Sequence, residues 1–417
     1  MKPSSAREPQ RRPSGAESQA MGPLAGVKVI ELAGIGPGPM AAMLLADMGA
    51  TVLRVDRREP AALGVPRPLK YDLLLRNRRS VAVDLKDPAA AAFVLDLVAG
   101  SDVLIEGFRP GVTERLGLGP EPCLERNPKL VYGRITGWGQ EGPLAQAVGH
   151  DLNYIALAGA LHAFGRAGQP PAPPINLVGD FAGGTLYLVM GILAALLESR
   201  QSGRGQVVDA AMVDGVANLM TQPYGSFAAG LMSNERGTNV TDSGAPFYDV
   251  YACADGRWIS LAAVETKFYA EALRVLGLGE LLAGQWKRGS WPAAKARIAE
   301  RFRERTRDAW CEVFEGVEAC FAPVLTIDEA PAHPHLRARG THAEIDGVMQ
   351  PMPAPRFSRT RNDVPRPFRP WAAAEAGEIL GPWLDERAIA RAREAGVIGG
   401  AGEDDTRPAR EGASKSP

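Results

Sequence analysis

The stretch AVGHDLNYIALAGAL, residues 147–161, sets His150 and Asp151 directly after a glycine and directly before an apolar helical pattern. Downstream, INLVGDFAGG sets Asp180 in a second glycine-flanked turn that again leads into an apolar helix. The chain has only 5 His. An imidazole and a carboxyl offered at two helix starts of one design form a workable acid–base pair, each giving about 10²–10⁴-fold once its pKa is tuned. Plainer uses compete: a His beside a helix start is often a structural hydrogen-bonding group, and Asp180 could be a simple N-cap. Asp151, adjacent to His150, reads as structural, orienting the His150 turn.

The elements that must hold these residues follow from periodicity. VKVIELA (27–33) is a short β-rich run, GIGPGP a tight turn, and MAAMLLADMGA a helix with Pro39 suited to its first turn and Gly49 to its C-terminus. TVLRVD, SVAVDL, SDVLIEGF and LVYGRITG are further strand candidates separated by runs of helical length, and QVVDAAMVDGVANLM is a strand running into a helix. Alternating strands and helices predict an α/β fold with a mostly parallel, doubly wound sheet. Then the texture changes. GAPFYDVYACADGRWISLAAVE carries two β-like segments joined by a hairpin signal, and helical patterns follow to about residue 319. The predicted organisation is a tail at 1–21, a large domain at 22–224 and a small α+β domain at 225–345. A return segment at 346–398 and a second tail at 399–417 complete it. Both tails read as disordered.

Composition narrows the partners. At 417 residues two domains are the default. A formal net charge of −1 gives no global basic field for nucleic acid or anionic membrane, so an anionic ligand must be met by local Arg and Lys. The 4 Cys share no CxxC spacing and read as reduced thiols of a cytoplasmic protein, with no metal site. The apolar run LYLVMGILAALL is too short to span a bilayer, and the N-terminal stretch lacks the apolar core of a secretory signal.

GIGPGP after the first strand, with Asp56 ending the second, approximates a dinucleotide fingerprint. It fails in detail: the third required glycine falls on Pro39, and Pro37 and Pro39 remove N–H groups that a pyrophosphate would need. A tight strand-to-helix turn is the preferred reading. RVDRRE offers three guanidiniums near a strand end, which suits a phosphate better than a ribose diol.

Taken together, GHDLNY, INLVGDFAGG, GRGQVVDAAM, GAPFYDVYACADGRW and the opening GPLAGVKVIELAGIGPGPMAAMLLADMGATVLRVDR resemble the class III CoA-transferase family (CaiB/BaiF-like proteins) over about residues 22–360. The resemblance implies a Rossmann-like large domain built from both ends of the chain, plus a small domain. It also implies an interlocked homodimer whose active site lies between one subunit's large domain and the other's small domain. Transferases of the family usually carry Tyr where this chain has His150, and use the matching aspartate as an acylated nucleophile; the family's racemases use His and Asp as two bases. His150 therefore points to a racemase of 2-methylacyl-CoA thioesters, with catalytic His150, Asp180 and Glu265, the last matching a glutamate placed near the His. Arg57, Val83, Asp84, Leu85, Lys86, Gly107, Phe108, Arg109 and Arg115 match CoA-contacting positions, and Gly149, Asp151, Leu152, Asn153 and Tyr154 join them in binding substrate.

Removing a proton α to a thioester carbonyl makes an enolate, and inversion requires that the proton leave one face and return on the other. A base and an acid on opposite sides meet that need. A helix N-terminus near Asp180 would supply N–H groups to the enolate oxygen. No metal or redox cofactor is called for, because CoA is part of the substrate. Two alternatives stay open: a CoA-transferase in which Asp180 is acylated, and a non-catalytic acyl-CoA-binding relative. The departures TDSG (241–244) and AAVET (262–266) from the family's usual strings bear on acyl-chain shape and on how Glu265 is held.

Overall fold

The computed structural model describes residues 22–58 and 64–399. Residues 1–21 and 400–417, the expected tails apart from residue 399, lie outside the described residues. Six strands form one parallel sheet in the order β3-β2-β1-β4-β5-β6. They are β1 (Lys28–Leu32), β2 (Thr51–Arg57), β3 (Arg79–Val83), β4 (Val103–Glu106), β5 (Val131–Thr136) and β6 (Gln206–Ala211). All four residues of β4 and all six of β5 are buried, as expected of strands covered on both faces. One face is covered by the helix Pro88–Ala99, the other by Pro37–Asp47 and Tyr187–Ser202. The chain order reverses between β1 and β4, which opens a crevice beyond the carboxyl ends of the strands.

Charges inside this sheet revise one expectation. Glu31 on β1 is fully buried and accepts from Arg54 at 2.6 Å and also from Arg78; Arg54 further donates to Asp56 at 2.9 Å. Arg58 donates to the carbonyls of Gly396 and Val397. Of the three guanidiniums in RVDRRE, two are thus committed to structure: Arg54 because a buried charge must be paired, and Arg58, itself exposed, through its two carbonyl partners. Arg57, exposed at the strand end, makes no such bond among the described residues.

A second sheet is antiparallel, β7 (Tyr248–Ala252), β8 (Trp258–Ala262) and β9 (Phe321–Pro323), and it encloses its own aromatic core of Phe247, Tyr269, Trp291, Phe302 and Trp310. A third feature was not expected. β10 (His342–Ile345) and β11 (Val348–Pro351) form a hairpin whose turn, Asp346–Gly347, has φ of 53° and 72° at its two central residues. That Asp-Gly pair is the signal for such a turn. The expected boundary at 345 falls inside it, and Arg76 ties the hairpin to the large sheet through the Pro351 carbonyl at 2.6 Å. Further on, the helices Ala376–Leu380 and Glu386–Glu394 put Ile379, Leu380, Ile389 and Ala392 into the same apolar cluster as β1–β3.

The helical stretch Leu177–Ser202 is longer than its 12-residue apolar run suggested: it has 26 residues, and an 18-residue window within it reaches a mean hydropathy of 1.7, enough by length and composition to cross a membrane. Leu188, Val189, Ile192, Ala195 and Leu196 on this helix belong instead to the core beneath the sheet, while Leu186, Met190 and Leu197 are exposed.

Candidate active site

A cavity of about 960 Å³ opens where the fold predicts a ligand, beyond the carboxyl ends of β1, β4, β5 and β6. Its walls are Ile35–Pro37 after β1, Gly107–Pro110 after β4, Ile135–Trp138 at the end of β5, and Met212 after β6. His150, Asn153, Tyr154 and Asp180 complete it.

His150 is the residue before the helix Asp151–Leu157. Its backbone N–H donates to Asn153 Oδ1 at 3.0 Å, so the turn that presents the imidazole is held by a side chain three residues on. The residue itself is exposed. Asp180 sits differently. It is the fourth residue of a ten-residue π-helical segment, Leu177–Leu186, that runs straight into Tyr187–Ser202. The glycines of VGDFAGG make that approach possible. A methyl group on Gly179 would come within 2.6 Å of the Asp151 carboxylate, and one on Gly183 within 2.6 Å of Val216 on the facing helix.

Asp180 is therefore not an N-cap. Asn176 holds that position, and the Asn176 amide donates to Asp180 Oδ2 at 3.1 Å. Asp180's own N–H is not free for an enolate either, since it donates to Asp151 Oδ2 at 2.7 Å. Asp151 is buried and serves the Asp180 turn, not the His150 turn as the sequence suggested. On the opposite side, Gly36 in the GIGPGP turn has φ 67°, and a Cβ there would lie 3.2 Å from Asp180 Oδ2. The turn that imitates a dinucleotide loop is the wall against this carboxyl.

These surroundings set the carboxyl's chemistry. Burial pushes the Asp180 pKa above the usual carboxylate range; the Asn176 hydrogen bond opposes this, the Asp151 charge adds to it, and His150 opposes it. Tyr154 is buried against Trp138, the rings edge to face at 4.8 Å. Its phenol is pushed up to about 12, first by burial and then by the charge of Asp180.

Of the residues singled out by sequence, Gly107, Phe108, Arg109, Gly149, His150, Asn153, Tyr154 and Asp180 meet in this one cavity. Asp151 and Leu152 belong to the same helix start without lining it. Arg57 closes β2, Val83 closes β3 with Asp84, Leu85 and Lys86 following, and Arg115 ends the helix Val112–Arg115 beyond β4. They flank the cavity along one edge of the sheet. Val83 is wholly buried, backbone included, so it offers a ligand no surface of its own. Glu265 is not brought to His150 within one chain: it is exposed, just before the helix Thr266–Leu276, and outside the cavity. In the divergent TDSG turn, Asp242 accepts from the N–H groups of Gly237, Asn239 and Gly244, which makes it a local brace.

Ile35, Gly36, Pro37, Thr136, Trp138 and Met212 were missed as site residues. Their signal was positional, each lying at or just past the carboxyl end of a predicted parallel strand.

Known proteins resemble this chain over most of its length. The chain is 45% identical over 339 residues to mouse alpha-methylacyl-CoA racemase and 43% identical over 343 residues to the human protein of that name. Each alignment covers 81% of this chain and 87% of the relative. A crystal structure of a CAIB/BAIF family protein from Brucella suis superposes with a TM-score of 0.74 at 27% identity, covering 88% of this chain and all of the other. The model of CoA-transferase family III matches residues 24–374, and the chain belongs to that family.

Proposed function

We propose that the protein inverts the α-carbon of 2-methylacyl-CoA thioesters by two-base proton transfer between His150 and Asp180. One observation carries this reading: an imidazole and a carboxyl raised by burial share a cavity at the switch point of the sheet. A raised carboxyl pKa suits a group that must both hold and release a proton near neutrality. His150 takes the α-proton from one enantiomer while protonated Asp180 returns one to the other face; the reverse reaction exchanges the roles. In the first turn of Asp151–Leu157 the N–H groups of Asn153 and Tyr154 are spent on the His150 carbonyl, which leaves those of Asp151 and Leu152, next to the cavity wall though not part of it, as the donors to the enolate oxygen.

The thioester's nucleotide end would run along the carboxyl ends of β4, β3 and β2, meeting Arg109, Arg115, Lys86 and Arg57. Arg suits phosphate through paired N–H donors and suits adenine by stacking. Glu265 enters this scheme through assembly. Apolar side chains left exposed on Leu177–Ser202 and beyond it (Leu186, Met190, Leu197, Leu219, Tyr224, Phe227) support a homodimer. In an interlocked dimer the Glu265 of a partner subunit could sit beside His150. We place the small domain between roughly 225 and 345 and assign the protein to the cytoplasm.

The test is a panel of single-enantiomer 2-methylacyl-CoA thioesters in D₂O, followed by α-proton NMR, with hydroxylamine added in parallel. Exchange with inversion and no trapped acyl group is the expected result. Hydroxylamine trapping together with CoA transfer to an added acid would make Asp180 an acylated nucleophile, and binding without either reaction would make the protein a carrier.

A further inference from the structure

Asp151 is the buried charge that the two-base scheme does not use. It opens the helix that follows His150, it is 6% exposed, and one of its oxygens accepts the Asp180 N–H at 2.7 Å. Its other oxygen, Oδ1, is buried with no hydrogen-bond partner among the described residues. A carboxylate in this state costs free energy, and an apolar or amide side chain would satisfy the fold more cheaply. Gly179 is part of the same arrangement, because a Cβ there would strike the Asp151 carboxylate.

We propose that Asp151 is a positioning residue for proton transfer: its carboxylate clamps the backbone of Asp180 to the helix start that carries His150, and its charge biases Asp180 toward holding a proton. This role deepens the two-base reading and rests on it. The clamp is a charge-assisted hydrogen bond to an N–H in the first turn of a helix, which is the favourable end for an anion. It joins residues 29 apart in sequence, so the separation of the two bases is set by a side chain and not by the chain path alone. The bias follows from proximity, as the Asp151 charge opposes ionisation of both Asp180 and Tyr154.

Other charges near Asp180 do not duplicate this effect. His150 acts on it in the opposite direction. Arg109 acts on Tyr154. The facing helix Met212–Leu219 packs with Gly215 and Val216, and its Asp214 acts on Asp209. Asp47 on the helix Pro37–Asp47 is paired with Arg76, and Arg134 on β5 with Glu106 and Glu114.

Asp151→Asn keeps an oxygen acceptor for the Asp180 N–H and removes only the charge. The pH dependence of kcat/KM is measured for each enantiomer, alongside circular dichroism. In the direction that needs Asp180 protonated, the basic limb should move to lower pH, while KM changes less than about threefold. Gly179→Ala keeps every ionisable group but pushes the carboxylate off the N–H; kcat should fall at least about tenfold with KM again little changed. A folded Asp151→Asn protein with an unmoved limb overturns the inference, as does a Gly179→Ala protein with wild-type kcat. Absence of α-proton exchange in the wild type would defeat the two-base reading itself, and with it this role; the unmoved limb defeats the role alone.

Discussion

The two helix starts at the cavity present their side chains to it by opposite means. The His150 start is a regular α-helical entrance, exposed, with its backbone capped from within by Asn153. The Asp180 start is a π-helical entrance packed between Gly36, Asp151 and the facing helix, and its backbone N–H is spent on a neighbour far away in sequence. An imidazole exchanges protons near neutral pH without help from burial, whereas a carboxyl does not. If the two residues act as the proposed pair of bases, packing is needed at only one of them. Glycines, a wide helical turn and a second buried carboxylate all gather around the Asp.

The largest effect expected is loss of either base. His150→Ala and Asp180→Ala should each lower racemisation by about 10³-fold or more while the protein stays folded, since one base cannot serve both faces. Asp180→Asn should still wash the α-proton out of the (S) thioester in D₂O without inverting it, and His150→Gln should do so only for the (R) thioester. If both variants lose exchange from both enantiomers, the two starts act as one unit and the comparison fails.

A smaller effect separates open from enclosed chemistry. Arg57→Ala and Arg115→Ala should each raise the Kd for a CoA thioester several-fold, most strongly at low salt, because both guanidiniums are exposed and screened by ions. The bound-state inversion rate should be nearly indifferent to salt. Isothermal titration at two ionic strengths, beside single-turnover inversion, tests both statements. Salt-independent binding in wild type would remove the proposed phosphate edge.

The smallest effect is on stability. Burial raises Asp180's folded pKa above its unfolded value, so the unfolded chain releases this proton first as pH rises. The folded state is therefore penalised above the unfolded carboxylate range, increasingly until pH exceeds the raised folded value. Asp180→Asn should raise Tm by roughly 1–3 °C at pH 7 and leave it unchanged near pH 3. A lowered Tm at pH 7 would mean that Asp180 stabilises its helix as an ordinary capping residue, and that its burial is not held at a cost.

Much of this was legible in the sequence. The six parallel strands announced themselves as short β-branched runs between helical ones, and His150 and Asp180, the two bases proposed here, stood out through their glycine settings. What escaped reading was non-local. The bond from Asp151 to Asp180 joins two segments whose own patterns say nothing of each other. Arg54 and Arg58 look like free cations until the fold brings Glu31 and the carbonyls of Gly396 and Val397 to them. The π-helical entrance has no periodicity of its own over ten residues; only its glycines hint at close packing. Proline at the third fingerprint position speaks against a dinucleotide, and the same turn is a wall of the cavity. The 342–351 hairpin was legible through Asp346–Gly347 and was passed over.

The sharing of one apolar cluster by β1–β3 and residues 376–398 bears on how the chain is made. During synthesis, the first strands leave the ribosome long before the helices that seal their outer face. For about 280 residues of elongation, from Leu97 to Ala376, Val81, Val83, Phe93 and Leu97 have no permanent cover on that side. At about 5–20 residues per second this lasts on the order of ten seconds to a minute. A nascent sheet left open for that long is a natural client for chaperones. Losing Ile379 to Ile398 would accordingly show first as low soluble yield, before any defect in catalysis could be measured.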